Sequence, residues 1–450
     1  MKFRVEKTRF ISTILVVLAV LYAFYSLEPY FTWQTYNNGI FGYFLGSIPY
    51  KSIFGILFVV CFAIKSKGQI KADKASRYMS LGVFLCSVLL VAFSGGIENT
   101  HIFSMTWISY FVVMCYLLLP SDQKIMAYNL YLWIFSITLV LPIVYYFLLK
   151  IGVNIPYSNL KPQEAIKVAR GFQYKNYFLA VQRTHKYDLF AELKMCGIYD
   201  ESGRLGTLAA LFLVSERLKI KEKWQNVLCL IAGVLSFSLA FYIIIVIYYF
   251  GMCIFNKKIK NIMLIVGVII AYFAFMSIQI KDSTILDLQS RMSFTDMGLE
   301  GDNRTNDQFD YLMEDFNENS NLYTLLFGRG DGAIAEVQNN KNIDGSSYKC
   351  FIYNYGYLGF LSIIVWIVLY GVFKSKQMQL KESKAQMWSI ILVYIMNIYQ
   401  RPTSFYLGYM LILIGAIEII NDKEKADENN KIYDKRHSKF TFDNSGDSYI

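Results

Sequence analysis

Motifs for metal binding and nucleophilic catalysis are nearly absent from this chain. Its 450 residues include three histidines and seven cysteines, and the histidines lie far apart in the sequence. It has no Walker-type phosphate loop and no Gly-x-Ser-x-Gly turn. These absences argue against a zinc hydrolase, a P-loop nucleotidase and a serine hydrolase. We therefore expect neither a metal nor a cofactor.

Charged residues are missing from several long apolar runs. Each run approaches the ~20 residues needed to cross ~30 Å of hydrocarbon. With 55% hydrophobic residues, the chain is too apolar for one soluble core. We therefore predict an all-α integral membrane protein. The clearest runs are Phe10–Leu27, Met79–Phe93, Ile102–Leu119, Tyr128–Leu149 and Ile262–Ile280.

A cleavable signal peptide is also not evident. The basic start, with Lys2, Arg4, Lys7 and Arg9, leads into an apolar run that has no clear small-x-small cleavage site. We expect a first helix that is retained and begins in the cytoplasm.

Basic residues are concentrated in the short loops, which the positive-inside rule places in the cytoplasm with both termini. The net charge of +10 is thereby explained by topology, so we expect no nucleic-acid partner. To keep all these loops on one side, residues 226–254 must form two short or tilted segments that turn at Ser236-Phe237-Ser238. The prediction is then about twelve crossings. The basic loops are Lys65–Arg77, Glu216–Trp224, Asn256–Lys260 and Lys374–Lys384.

Two long polar stretches interrupt the apolar segments, and charge counting places both outside the membrane. The stretch ending at Arg204 has nine basic and five acidic residues from Lys150 onward, and the stretch 281–346 has five basic and thirteen acidic. The basic excess of the first could bind an anionic ligand, or could arise because long translocated loops escape the positive-inside rule. The expected order is transmembrane helices 1–5 in 1–150, the first polar stretch in 151–204, helices 6–9 in 205–280, the second polar stretch in 281–346, helices 10–12 in 347–420 and a disordered cytoplasmic tail in 421–450.

Arginines and carboxylates near the outer ends of helices are the candidates for chemistry. Arg204, within Cys196–Thr207, could be a phosphate fork or an interfacial anchor. Gly301-Asp-Asn-Arg304 precedes a predicted amphipathic helix, Phe309–Phe316. Phe327–Gly332 is a glycine-rich turn that carries Arg329.

These segments, in this order, resemble the O-antigen and capsular polysaccharide polymerases (the Wzy-like family), which are related to the O-antigen ligases. The resemblance covers roughly 195–360 by motif and the remainder by hydropathy. It rests on Gly197-Ile-Tyr-Asp-Glu-Ser-Gly203 with Gly206-Thr207 (family G-x-F-x-E-P-G), Leu235-Ser-Phe-Ser-Leu-Ala240 (T-x-S-R-G), Asp302-Asn-Arg304 with Leu326-Phe-Gly-Arg-Gly330 (S-G-R … L-F-G-x-G), and Ser346-Ser-Tyr348 with Tyr355-Gly-Tyr-Leu-Gly-Phe360 (N-x-Y … G-x-x-G-F).

Two departures from the family pattern matter. Leu239 stands where an arginine is often found, so no role transfers there. Ser346-Ser347 stand where the ligases carry a histidine, which favours a polymerase over a ligase.

The resemblance implies a GT-C-like glycosyltransferase of a bacterial plasma membrane that joins undecaprenyl-pyrophosphate-linked oligosaccharide units at the outer face. Its partners would be that lipid-linked substrate, membrane lipid, and flippase and chain-length regulator proteins. Glu201 matches the family's acidic position and would be the general base. Asp200 would assist it, and partial desolvation of both carboxylates at the end of a span would give the raised pKa that suits a base. Alternatively, Asp200 would cap the helix or pair with Arg204. The residues expected to bind the pyrophosphate and glycan are Arg304, Arg329, Arg204 and Arg170.

Two alternatives remain open. A ligase would use the same donor with a different acceptor. A polysaccharide flippase or other transporter should have short outer loops and ionisable residues inside its spans. We expect no buried ionisable residues in the spans, which disfavours the transporter.

Overall fold

The chain folds mostly into α-helices in the computed structural model. The model describes residues 2–33, 49–66, 72–95, 106–162, 167–168, 171–185, 194–256, 259–278, 286, 289–290, 293–295, 298–299, 307–341, 347–401 and 405–443. The helices are α1 (Lys2–Tyr25), α2 (Tyr50–Ser66), α3 (Lys74–Ser87), α4 (Thr106–Leu117), α5 (Ser121–Lys150), α6 (Ser202–Ser215), α7 (Trp224–Leu235), α8 (Leu239–Asn256), α9 (Ile259–Ser277), α10 (Asp307–Asn319), α11 (Leu322–Phe327), α12 (Ala333–Lys341), α13 (Tyr348–Ser375), α14 (Lys381–Gln400) and α15 (Leu407–Asp443).

Several of these helices have the length and composition of membrane spans. Four described helices qualify outright, and four shorter apolar helices accompany them. Large apolar side chains such as Leu85 and Ile270 are 57% and 63% exposed, as expected where lipid surrounds a protein. The prediction of a predominantly helical membrane protein agrees with these features. The four long spans are Lys74–Ala92, Ser121–Lys150, Leu239–Asn256 and Tyr348–Ser375.

The predicted turn at 236–238 is confirmed, because it separates α7 from α8. Phe237 has a φ of 46° there. A Cβ added to Gly206 of α6 would lie 2.5 Å from the Ser238 Cβ, so α6 and this turn can pack closely only because residue 206 is glycine. Two motifs identified in the sequence are therefore in direct contact.

The polar stretches contain short β-structure, which differs from the all-helical prediction. In the first stretch, β1 (Ser158–Leu160), β2 (Phe172–Asn176) and β3 (Val181–His185) form an antiparallel sheet in that order. Along β2, Phe172, Tyr174 and Asn176 alternate with more polar neighbours, a pattern typical of a strand with one covered face. In the second stretch, β4 (Phe294–Thr295) pairs with β5 (Gly298–Leu299). The predicted amphipathic helix is confirmed as α10, which buries Phe309, Leu312, Met313 and Phe316.

The C-terminal segment differs from the predicted disordered tail, because α15 continues as a helix to Asp443. Its first part, Leu407–Ile420, is almost entirely buried and supplies a formed helix that the polar residues extend. Glu424 then accepts hydrogen bonds from the backbone N–H groups of Gln379 and Leu380. This contact ties the extension to the loop between α13 and α14.

A buried ionic group contradicts the expectation that the spans contain no buried ionisable residues, because two of its members lie in the candidate spans Ser121–Lys150 and Tyr348–Ser375. Glu418 of α15 lies 3.3 Å from the Lys124 Nζ and 2.8 Å from the Lys374 Nζ, and all three side chains are nearly inaccessible. Ser121 donates a hydrogen bond to the same carboxylate, and Asp73 lies 3.5 Å from Lys374. The sequence hid this group because Lys124 and Lys374 lie at helix ends and resemble ordinary loop lysines.

Candidate functional site

The segment that carries Asp200 and Glu201 is held by hydrogen bonds that its backbone carbonyls accept from several distant parts of the chain. Residues 194–200 are buried, although they have little regular structure. The N–H of Tyr30 donates to the Ile198 carbonyl at 2.9 Å, and that of Val181 donates to the Gly197 carbonyl at 2.7 Å. The Tyr174 hydroxyl donates to the Asp200 carbonyl at 2.9 Å. The acidic pair therefore sits on a fixed backbone at the N-terminus of α6.

Five charged side chains form a cluster at this point. The Lys167 Nζ lies 2.6 Å from the Asp200 carboxylate and 3.8 Å from that of Glu201. The Arg204 Nε lies 3.6 Å from Asp200, and a terminal nitrogen of Arg401 lies 2.8 Å from Glu201. Three cations thus face two carboxylates. We call Lys167, Asp200, Glu201, Arg204 and Arg401 the acid–arginine cluster.

Arg204 is oriented by a second contact besides its carboxylate. Its terminal nitrogen donates a 2.7 Å hydrogen bond to the carbonyl of Leu27, which follows α1. The exposed Glu28 also interacts with it electrostatically. Because a guanidinium has five N–H donors, the contacts with Asp200 and the Leu27 carbonyl fix its plane while leaving it able to donate to a further anion.

The charge state of Asp200 follows from opposing effects. Burial alone raises the pKa of its carboxyl group, but the positive charges of Arg204 and Lys167 outweigh burial and lower that pKa below the ordinary value. The pKa of Asp200 is thus shifted in the direction opposite to the raised pKa predicted for a general base. Asp200 is therefore an ionised partner of Arg204 and Lys167, which is the structural alternative named for it above.

Glu201 is the most accessible member of the acid–arginine cluster. Its side chain is 25% exposed, whereas those of Asp200 and Arg401 are 10% and 9% exposed. Glu201 is also the residue that precedes α6, but its side chain makes no capping hydrogen bond to the helix. Its carboxylate is thus positioned by Arg401 and Lys167 at the edge of a buried ionic cluster, where a substrate can reach it.

The second polar stretch contributes a loop built on two interlocked glycines. A Cβ on Gly328 would lie 2.2 Å from the Asn354 carbonyl oxygen, and a Cβ on Gly356 would lie 2.2 Å from that of Leu326. Both residues have positive φ, and Gly356 interrupts the helical geometry of α13. The two glycine motifs found in the sequence therefore pack backbone against backbone.

This packing holds Arg329 in an exposed position. Its guanidinium carbon lies 5.2 Å from the centre of the Tyr353 ring and 5.8 Å from that of Phe316. A terminal nitrogen contacts the Ser320 hydroxyl at 3.4 Å. Aromatic rings on one side orient the cation and leave its remaining face accessible to solvent.

Tyr406 is close enough to interact both with the loop that carries Arg329 and with the acid–arginine cluster. It interacts electrostatically with Asp331 of the loop and with Arg204 of the cluster, and the Lys51 Nζ lies 4.7 Å from its ring centre. Burial raises the pKa of Tyr406 to about 12, so its hydroxyl keeps its proton at neutral pH. Asp331 in turn accepts hydrogen bonds from Tyr355 at 2.6 Å and Thr106 at 3.2 Å.

The sequence-predicted site residues are partly brought together. Asp200, Glu201 and Arg204 share one cluster, and Arg329 lies on the neighbouring loop. Arg170 and Arg304 lie outside the described residues, so their roles stay predictions. Sequence reasoning missed Lys167, Arg401, Lys51, Tyr406 and Asp331.

A weak signal for Arg401 was available. It is the one charged residue between two apolar segments, and it precedes Pro402. A single arginine at a helix end is usually an interfacial anchor, so this signal alone could not identify it.

Comparisons with protein-family models, curated proteins and solved structures find no match to this chain. The chemistry of the cluster must therefore be judged from its own geometry. An accessible carboxylate can accept a proton, and the nearby arginines can hold a phosphate group.

Proposed function

We propose that this protein is a membrane polymerase that joins lipid-linked oligosaccharide repeat units at the outer face of a bacterial plasma membrane. The acceptor hydroxyl oxygen would attack the anomeric carbon of the donor glycan. A new glycosidic C–O bond forms while the bond to the pyrophosphate breaks, and undecaprenyl pyrophosphate leaves with the electron pair. The proton of the acceptor hydroxyl passes to a carboxylate.

The observation that carries this proposal is the position of Glu201. It is a carboxylate held at 2.8 Å by Arg401 and still 25% exposed, at the N-terminus of an apolar helix. A base for an acceptor hydroxyl needs both accessibility and a fixed direction. Lys167, which also pairs with Asp200, places a second positive charge 3.8 Å from the Glu201 carboxylate.

Stabilisation of the departing pyrophosphate is the second requirement. Arg204 and Arg329 are the described candidates, because an arginine fork matches phosphate geometry and strengthens as charge develops. Arg304 has the better motif position. Arg304→Ala should remove most polymer without lowering membrane expression, and Arg304→Lys should rescue poorly, since lysine lacks the planar fork. Wild-type glycan length in an Arg304→Ala strain would mean that Arg304 has no role in binding the pyrophosphate.

The proposed topology has about twelve crossings. In this proposal the crossings are α1–α9 and α13–α15. An even number of crossings would place both termini on one side of the membrane and both polar stretches on the other. Helices as short as α4 and α7, at twelve residues each, are tolerable where protein surrounds their ends.

One observation favours the transporter alternative. The buried group of Lys124, Glu418 and Lys374 is the kind of intramembrane ionic site that ion-coupled carriers use. However, Lys124 and Lys374 lie within one turn of the ends of α5 and α13, so the group sits near a membrane boundary. Glu418→Gln should therefore lower stability and leave glycan polymerisation in the surviving protein unchanged. Loss of solute uptake with normal stability would favour the carrier.

The proposed function is tested with Glu201→Gln, which keeps the size and hydrogen-bonding capacity of the side chain but removes the base. Cells with this variant should accumulate single lipid-linked units and display no long glycan, with normal protein in the membrane. Glu28→Gln is the matched control, because Glu28 is an exposed acid near the same cluster.

Full-length polymer from Glu201→Gln would reject the base role. If the protein is instead a ligase, cells with Glu201→Gln should still make long glycan on the lipid carrier but should not transfer it to its final acceptor.

A further inference from the structure

The turn between β2 and β3 presents a large apolar side chain to the surroundings. Phe178 and Leu179 are its two central residues, with φ angles of 58° and 53°. Turns of this kind usually carry Asn-Gly, because positive φ is unfavourable for other residues. The Phe178 side chain is nevertheless 70% exposed. A strained, exposed phenylalanine at a hairpin tip calls for a physical reason.

The surrounding structure holds this turn firmly. The Tyr177 N–H donates to the Ala180 carbonyl at 2.9 Å, and the Phe178 N–H donates to the Asn176 side-chain oxygen at 3.2 Å. The Leu179 N–H donates to the Tyr30 hydroxyl at 3.0 Å. The tip is therefore presented in one fixed direction.

The hairpin lies beside one end of a candidate membrane span. The ring of Tyr177 lies 6.2 Å from that of Tyr145 in α5. Tyr145 is five residues before Lys150, the last residue of α5, which corresponds to about 7.5 Å along the helix axis. The tip of the hairpin therefore lies beside the last turns of α5 and not beyond its C-terminal end.

The neighbouring residues form the pattern of a membrane interface. Phe147 and Ile151 are 52% and 75% exposed around the end of α5. The Lys150 Nζ lies 5.8 Å from the Tyr146 ring centre, and the Lys175 Nζ lies 5.4 Å from that of Tyr157. Exposed apolar groups bordered by aromatic rings and lysines are typical of the zone between lipid chains and headgroups.

We infer that the β2–β3 hairpin dips into the outer leaflet of the bilayer and that Phe178 contacts lipid chains there. The occupant of this surface is lipid because the apolar area continues that of α5, whose own exposed side chains face the same surroundings. This inference rests on the proposed function in one respect, namely that α5 spans a membrane and has its C-terminal end at the outer face.

The hairpin also connects this lipid contact with the acid–arginine cluster. Tyr174 of β2 donates to the Asp200 carbonyl, and Val181 of β3 donates to the Gly197 carbonyl. One small sheet therefore touches the bilayer with its tip and holds the catalytic segment with its strands. A substrate carried on a lipid chain would reach Glu201 beside this element.

Spin labelling of the full-length protein tests the inference. The four partly exposed native cysteines (Cys61, Cys115, Cys253 and Cys350) are replaced by alanine, and the three buried ones are kept. Phe178→Cys is labelled in vesicles of phosphatidylethanolamine and phosphatidylglycerol, and its collision rates with oxygen and with a water-soluble nickel chelate are measured. Val140→Cys, 41% exposed in the middle of α5, is the lipid reference. Asn159→Cys, exposed on β1, is the water reference.

We expect the oxygen-to-nickel ratio at Phe178 to lie closer to the Val140 value than to the Asn159 value. Tyr157→Cys, 50% exposed near the hairpin tip, should have a ratio shifted in the same direction and replaces Phe178→Cys if the turn does not tolerate a label.

A ratio equal to that of Asn159 at residues 178 and 157 would overturn the hairpin contact while leaving the span intact. A low ratio at Val140 as well would overturn the proposed membrane architecture. Low collision rates with both reagents at residue 178 would mean that protein covers it, which also overturns the lipid contact.

Discussion

A terminal guanidinium nitrogen of Arg401 lies 2.8 Å from the Glu201 carboxylate, although the two residues are 200 positions apart in the chain. Arg401 ends α14, and Glu201 precedes α6. The direction of the candidate base is thus set by the residue that follows α14, which belongs to no recognisable motif. Arg401 is a positioning residue in the proposed mechanism, since it holds the Glu201 carboxylate.

Arg401→Gln should destabilise the protein and disorient Glu201. Removing one partner of a fully buried pair costs about 3–5 kcal/mol, and we expect less here, about 1–3 kcal/mol, because Glu201 is partly exposed. Polymer length in cells should fall as well, because Glu201 is no longer held in one direction. Thermal unfolding in detergent measures the first effect, and glycan gels measure the second.

The double variant Glu201→Gln with Arg401→Gln separates pairing from other roles of Arg401. If the two residues act as a pair, the double variant should be more stable than Arg401→Gln alone, since no unpaired carboxylate remains. Strictly additive losses of stability would contradict the pairing. Arg401→Lys should recover stability in part, because it keeps the charge but loses the fork.

Local features of the fold were predictable from sequence, whereas the site's long-range contacts were not. The turn at Ser236-Phe237-Ser238 followed from charge and length, and α10 followed from the period of Phe309 and Phe316. The position of Glu201 at a helix entry was also predictable. The pairing of Glu201 with Arg401 depends on how α6 and α14 pack, and apolar helices carry little sequence signal about which neighbour they choose.

The sheet of the first polar stretch was missed for a different reason. Its strands have three to five residues each, and their alternation is too short to stand out in a polar segment. Lys167 therefore could not be placed near Asp200, because the contact between them depends on this sheet. The raised pKa predicted for Asp200 was wrong, because Lys167 lies beside this carboxylate together with Arg204 and the two positive charges lower its pKa.

Gly328→Ala should disrupt the contact between the Arg329 loop and α13. A methyl group there would lie 2.2 Å from the Asn354 carbonyl oxygen, so the backbone itself must move. Positive φ adds roughly 1–2 kcal/mol of strain, and the overpacking a further 1–3 kcal/mol or so. We expect a lower melting temperature and loss of polymer.

Gly332→Ala is the matched control for this prediction. Gly332 lies in the same loop with a φ of 81°, but nothing lies within 4 Å of the position of its added Cβ. It therefore carries the backbone strain without the collision. Equal melting temperatures for the two variants would mean that backbone strain alone destabilises both, and that the close packing of Gly328 against α13 contributes nothing measurable.

The dependence of stability on acid should change in Asp200→Asn. The pKa of Asp200 in the folded protein is lowered below its ordinary value of 3.8, so folding is stabilised fully above that value and loses this stabilisation as pH falls through the lower folded pKa. The variant should be less stable than the wild type at neutral pH, and the difference should shrink below pH 3.8. Melting temperatures across acid pH measure this, with Glu28→Gln as the control. A difference that stays constant across this range would contradict the ion pairing.

The two polar stretches should both be reached by reagents from outside the cell. Asn159 is exposed on β1 of the first stretch, and Tyr311 is 72% exposed on α10 of the second. Cysteines at these positions, in the protein that lacks its four partly exposed native cysteines, should react with a membrane-impermeant maleimide in intact cells. Lys221→Cys, in the exposed basic loop between α6 and α7, should react only after lysis.

The physical reason for this expectation is that lysine-rich short loops are retained in the cytoplasm, while the acidic second stretch is free to cross the membrane. Protection of either polar stretch before lysis would overturn the twelve-crossing topology, and with it the proposal that Glu201 meets its substrate at the outer face.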